Sequence, residues 1–133
     1  MKIIKFLLEK ESKEYNACSY TLGGKNIIER TAKITPTKIG QFVTCWKRNA
    51  EGITEPHKDS GDLDFFYIKV IAGNKSGVFK FSKEALIQNG ILSTEKKDGK
   101  RGFRVYPIWD KPTSKQAIKT QIWQLEYFIN DSI

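Results

Sequence analysis

Two stretches of the chain set Lys and Arg among aromatic residues. That combination grips phosphate and stacks on exposed bases. The first is KRGFRVYPIWDKPTSKQ at 100–116. Strand alternation there puts Arg101, Phe103 and Val105 on one face and Gly102, Arg104 and Tyr106 on the other. Arg104 and Tyr106 together meet both needs, Trp109 is a further stacking candidate, and Gly102 would let a sugar-phosphate approach closely. The competing reading makes Tyr106 and Trp109 core aromatics and pairs Arg104 with a carboxylate such as Asp64. That reading weighs more for the aromatics. Binding weighs more for Arg101 and Arg104, because Arg is scarce here. The second stretch is RTAKITPTKIGQ at 30–41. Arg30, Lys33 and Lys38, with Thr35, Thr37 and backbone N–H groups near Gly40, can hold an anion. The same residues also suit a solvated hairpin end. No G-x-x-x-x-G-K-[ST] phosphate loop occurs.

Catalytic chemistry has fewer carriers. His57 is the sole histidine and sits in an acidic loop, far in sequence from Cys18 and Cys45. A surface histidine and two buried thiols are expected rather than a nucleophile and its base. A metal-dependent nuclease needs clustered carboxylates and a lysine to hold Mg²⁺ and activate water. The [DE]-x-K pattern begins at Glu11, Glu95 and Asp98, close to the roughly two occurrences that chance supplies. Glu29, Lys33 and Asp64 are the catalytic candidates for that reading, with Asp62 and Glu14 also available. No cofactor is expected, with Mg²⁺ required only if the chain cuts nucleic acid.

The charge balance favours an anionic partner. The 133 residues carry 23 Lys and Arg against 15 Asp and Glu, a net charge of +8. The surplus is uneven. Residues 96–119 hold eight cations and two acids, and residues 25–48 hold six cations and one acid. Residues 50–64 run the other way, with five acids and one cation. Against this, 19 of the 23 cations are Lys, which also serves as a general solubilising residue. No apolar run approaches the ~18 residues of a membrane span. The start, MKIIKFLLEKESKEY, lacks the long apolar stretch and cleavage site of a signal peptide. A cytoplasmic protein without membrane association is expected. Two cysteines and one histidine exclude a disulfide framework and a Cys/His zinc cage.

The elements that must position these residues follow from periodicity. Ile3, Ile4, Leu7 and Leu8 predict a helix over 2–10. Strands are predicted at 17–22 and 26–34 around Gly23-Gly24, at 41–46, at 63–71 as the buried centre, at 78–81 after Gly73-Asn74, and at 102–107. Ser82 caps a short helix over 83–89, and Thr113 or Ser114 caps a final helix reaching about Ile129. Its apolar stripe is Ile118, Ile122, Leu125 and Ile129. The face holding Gln116, Thr120, Trp123 and Tyr127 reads as interior. This predicts one α/β (α+β) domain over 1–133, with a mixed central sheet of about five to six strands flanked by helices.

Four runs carry a resemblance: EYNACSYTL, IERTAKITPTKIGQFVTCWKRN, GKRGFRVYPIWD and SKQAIKTQIWQLEYF. Together, over about Glu14 to Phe128, they resemble the MepB-like family. The resemblance implies a restriction-endonuclease-like fold, a class holding nucleases and nucleic-acid binders. Such folds place an Asp and a Glu-x-Lys on adjacent strands. Here Thr31-Ala32-Lys33 stands at the second element, with Thr in place of the acid, and Glu29 is the substitute on the same face. The expectation is a nucleic-acid-binding domain on a nuclease-like scaffold, leaning away from catalysis. The alternatives are a metal-dependent nuclease and an accessory protein for a protein or small-ligand partner.

Overall fold

Extended backbone dominates the computed structural model, which describes residues 3–8 and 15–132. In chain order the first strands are β1 (Ile3–Leu8), β2 (Cys18–Leu22), β3 (Lys25–Thr31), β4 (Lys33–Ile34), β5 (Gln41–Thr44), β6 (Trp46–Arg48) and β7 (Thr54–Pro56). Then come β8 (Phe65–Ala72), β9 (Lys75–Ser82), α1 (Lys83–Gln88), β10 (Gly102–Val105), α2 (Lys115–Leu125) and β11 (Phe128–Asn130). Six strands form a mixed sheet in the order β1-β2-β3-β8-β9-β11. All its pairings are antiparallel except β3 with β8. A second sheet, β10-β5-β4, is antiparallel throughout, and β6 pairs with β7.

The core lies between the two larger sheets. Phe66, Ile68 and Val70 of β8 and Phe79 and Phe81 of β9 point inward. They meet Val43 of β5, Phe103 and Val105 of β10, and Leu86 of α1. Period-two alternation is plain on β8, where Lys69 and Ile71 are exposed between buried neighbours. Phe66 and Phe103 meet edge to face across the layers, their centroids 6.2 Å apart. Each such side chain contributes about 1.5–3 kcal/mol by leaving water. Neither helix is long or apolar enough to cross a membrane.

Most of the predicted elements are found, with three corrections. Residues 3–8 are a strand, where helical spacing predicted a helix over 2–10. Pairing with β2 decides between two patterns that the same apolar residues satisfy. The strand predicted over 26–34 breaks at Ala32, whose N–H bonds Lys69 O at 2.9 Å. The chain there leaves the large sheet for the small one. The last helix stops at Leu125, and β11 then pairs with β9. Its isoleucine stripe faces outward: Ile118, Ile122 and Ile129 are exposed. Trp123 and Tyr127 face in because their rings have Phe81 to pack on, at 5.2 and 5.8 Å. Gly77 is required where the Phe128 ring occupies the space a Cβ would fill.

Candidate nucleic-acid interface

The small sheet unites the two basic stretches. With Phe103, Val105 and Val43 turned to the core, Arg104 of β10 and Phe42 of β5 turn outward. Register places Lys33 opposite Phe42 and Phe42 opposite Arg104. A cation–aromatic–cation row therefore crosses all three strands. Gly102 makes room for it, since the Phe42 ring lies 2.5 Å from where a Cβ would sit. That glycine accommodates this ring rather than leaving space for a ligand.

Hydrogen bonds fix the row's geometry. Arg104 Nη2 donates to Thr35 Oγ1 at 2.6 Å, and Nη1 donates to the carbonyls of Gly40 and Ile39 at 3.3 and 3.4 Å. The predicted partner Asp64 is elsewhere, accepting from Asn26 N at 2.8 Å. Neutral acceptors leave the guanidinium's charge uncancelled while they fold the 35–40 loop against β10. Gly40 carries φ +88, and the Tyr106 ring lies 2.7 Å from its would-be Cβ. No L side chain fits there on either ground. Lys38 is exposed in the same loop. Lys33 is exposed, and its Nζ sits 5.1 Å from the Tyr15 ring centre.

Other predicted contacts lie apart from the row. Arg30 is 1% exposed, so the expectation that it grips phosphate is corrected. It points into the core beside Phe66, at 6.0 Å, and donates to Glu29 O at 3.0 Å. Arg101 is exposed but donates to Thr54 O at 3.1 Å. It borders a cleft of about 920 Å³ whose walls mix it with Glu55, Asp59, Glu95 and Asp98. Trp109 packs edge to face on Phe128 with its Nε1 buried, the core role weighed for it in the sequence. Tyr106 is half-buried beside the row.

The nuclease candidates occupy three separate settings. Glu29 accepts from Tyr20 Oη at 2.9 Å and pairs with Lys69 Nζ at 3.4 Å. Lys33 lies on the other sheet, beyond the break at Ala32. Asp64 braces the start of β3 through Asn26. Among the described residues no three His, Cys, Asp or Glu converge as metal ligands; Glu14 lies outside those residues.

Two titratable groups lie near Arg30: His57, half-buried with its Nε2 shielded from solvent, and the fully buried Cys45. Burial, aided by the Arg30 and Lys47 charges and opposed by Glu55, lowers the His57 pKa to about 4. Burial pushes the Cys45 thiol up to about 12, with Arg30 opposing. Both are held uncharged near neutrality, and for Cys45 that keeps the thiol from acting as a thiolate ligand or nucleophile.

By helical spacing Gln124 shares a face of the predicted last helix with Gln121 and Phe128, where an amide can read a base edge or cover a sheet edge; it covers a sheet edge. Gln124 is fully buried, accepts from Tyr106 N at 2.9 Å and donates to Arg104 O at 2.9 Å. One amide thereby replaces a strand neighbour along the free edge of β10 and locks α2 to it.

A family model described as MepB-like matches residues 9–130. A solved structure described as the crystal structure of MepB is similar, with a TM-score of 0.94 and 38% sequence identity. The match covers 97% of this chain and 87% of that one. No curated protein matches.

Proposed function

The chain belongs to the MepB-like family, and we propose that it is a nucleic-acid-binding domain acting in the cytoplasm. One observation carries the reading: both basic stretches meet on one small sheet as the row Lys33–Phe42–Arg104. Phosphate would lie on Lys33, Lys38 and Arg104, and Tyr106 would meet a base. A restriction-endonuclease-like scaffold belongs to the same proposal. A mixed sheet with a single parallel pair is the feature that supports it. Cleavage with Mg²⁺ gains no support from the separate settings of Glu29, Lys33 and Asp64.

The test is a fluorescence-anisotropy titration against labelled single- and double-stranded DNA and RNA at two salt concentrations. Three phosphate contacts on a duplex give about 40-fold weaker binding between roughly 50 and 200 mM salt. Binding that ignores salt, or no binding at low salt, would remove the reading and turn the search to a protein or small-molecule partner.

A further inference from the structure

A second, smaller cleft adjoins the row. It encloses about 280 Å³ between α2, β10 and the residues that follow α1. Lys100, Arg104, Tyr106, Gln116, Thr120 and Trp123 line it, and the buried Gln124 closes its base. No acid lies on its walls, whereas the larger cleft carries four. The first turn of α2 also opens here, with Ser114 and Ala117 on the wall. Ser114 Oγ accepts from Ala117 N at 3.1 Å. The earlier N–H groups of that turn have no intrahelical acceptor, and the helix end favours an anion.

We infer that this cleft seats a single nucleotide, its base against Trp123 and Tyr106 and its phosphate toward Lys100. The inference rests on the nucleic-acid reading and adds a substrate class to it: an unpaired nucleotide. The volume falls just below the ~300–1,000 Å³ of sites that enclose drug-sized ligands, so it suits one base and excludes a base pair. Aromatic walls accept any base through its π-face, while Gln116 and Thr120 offer groups to its edge. Arg104 belongs to both the row and the cleft, and Tyr106 lines the cleft beside the row. A strand held along the row is therefore placed to turn one nucleotide inward.

The probes are a labelled oligothymidylate of about 12 nucleotides, a length within the span of one small domain, a duplex of equal length, and free thymidine monophosphate read by tryptophan fluorescence. Ala117→Leu fills the cleft from α2 without lowering helix propensity much. It should weaken the single strand about 10-fold, the lower part of the range for losing one stacked base, and the duplex less than about 2-fold. Thr120→Leu replaces it if thermal melting shows that Ala117→Leu does not fold. Single-strand binding unchanged in the folded variants overturns the cleft and leaves the wider reading standing. Thymidine monophosphate bound without any strand keeps the cleft, marks a free nucleotide as its ligand, and removes the wider reading. No response to any probe overturns both.

Discussion

The outward faces of the two sheets use similar residues to opposite effect. On the large sheet, Glu29 takes a hydrogen bond from Tyr20 and an ion pair from Lys69. The Tyr20 and Tyr67 phenols are pushed up, by burial first and by Glu29 second. Those charges answer one another. On the small sheet, the partners of the Arg104 guanidinium among the described residues are a hydroxyl and two carbonyls. No Asp or Glu occurs between Arg30 and Ala50 or between Gly99 and Trp109. The Arg104 charge is fixed in place by neutral acceptors, which is what the proposed binding role would use. What separates a binding face from a merely basic one is the identity of the groups that hold its cations.

Removing Gln124 would break the small face most severely. Gln124→Leu strands a backbone N–H and a carbonyl on β10 and should cost about 2–4 kcal/mol in urea unfolding. The Tyr20 phenol, on the large sheet, should keep its raised titration. Acid acts next in size and on neither face, through His57. Its folded-state pKa of about 4 lies below the ordinary 6.5, so the native state binds fewer protons between those values. The contribution is full above about pH 6.5 and is lost as pH falls toward 4. It amounts to at most about 3 kcal/mol, and in His57→Gln the stability slope across that window should flatten.

Arg104→Ala should weaken nucleic-acid binding about tenfold and reduce the salt slope by about 1. Lys69→Ala should change binding less than about 2-fold, because Lys69 serves Glu29. Equal losses in the two variants would erase the distinction between the faces. Glu29→Gln sharpens it from the other side. The Tyr20 phenol is raised, so its contribution is present below pH ~10 and is lost as pH rises through the folded-state value. Followed by phenolate absorbance, Glu29→Gln should bring that titration closer to the ordinary range and leave binding unchanged. The smallest effect belongs to Ile122→Lys. That side chain is 66% exposed, and melting should report a change within about 0.5 kcal/mol.

Local signals read true where one pattern had one solution. Ser82 and Ser114 accept from the N–H three residues on. Gly23-Gly24 and Gly73-Asn74 turn their hairpins. The alternation of Arg101 to Tyr106 placed Phe103 and Val105 inward. Tertiary context decided the rest. Ile3 to Leu8 suited helix or strand until β2 lay beside it. Arg30 alternates with Ile28, Ala32 and Ile34 in the predicted strand 26–34, and its side chain faces Phe66. In the candidate site, the outward placement of Lys33, Lys38 and Arg104 follows the charge and alternation of the sequence, while their role in binding belongs to the proposal. Phe42 was not legible, since cross-strand register has no local signature, and for Gln124 helix spacing offered the role of covering a sheet edge without saying which edge.

The lone parallel junction also sets the order in which the molecule can be assembled. Pairings β1–β2, β2–β3 and β8–β9 join sequence neighbours through short connections, whereas Ile27 meets Phe65 across the intervening chain. Closing such distant contacts, this one and the still longer pairings of β5 with β10 and of β9 with β11, is entropically slow. The connection closed by the β3–β8 pair contains β4 and β5, so two of the three strands of the small sheet ride on the loop that must fold back. Stable amide protection in β4 and β5 is then expected to trail that in the β8–β9 hairpin during refolding. The surface offered to a ligand would be among the last parts of the chain to become ordered.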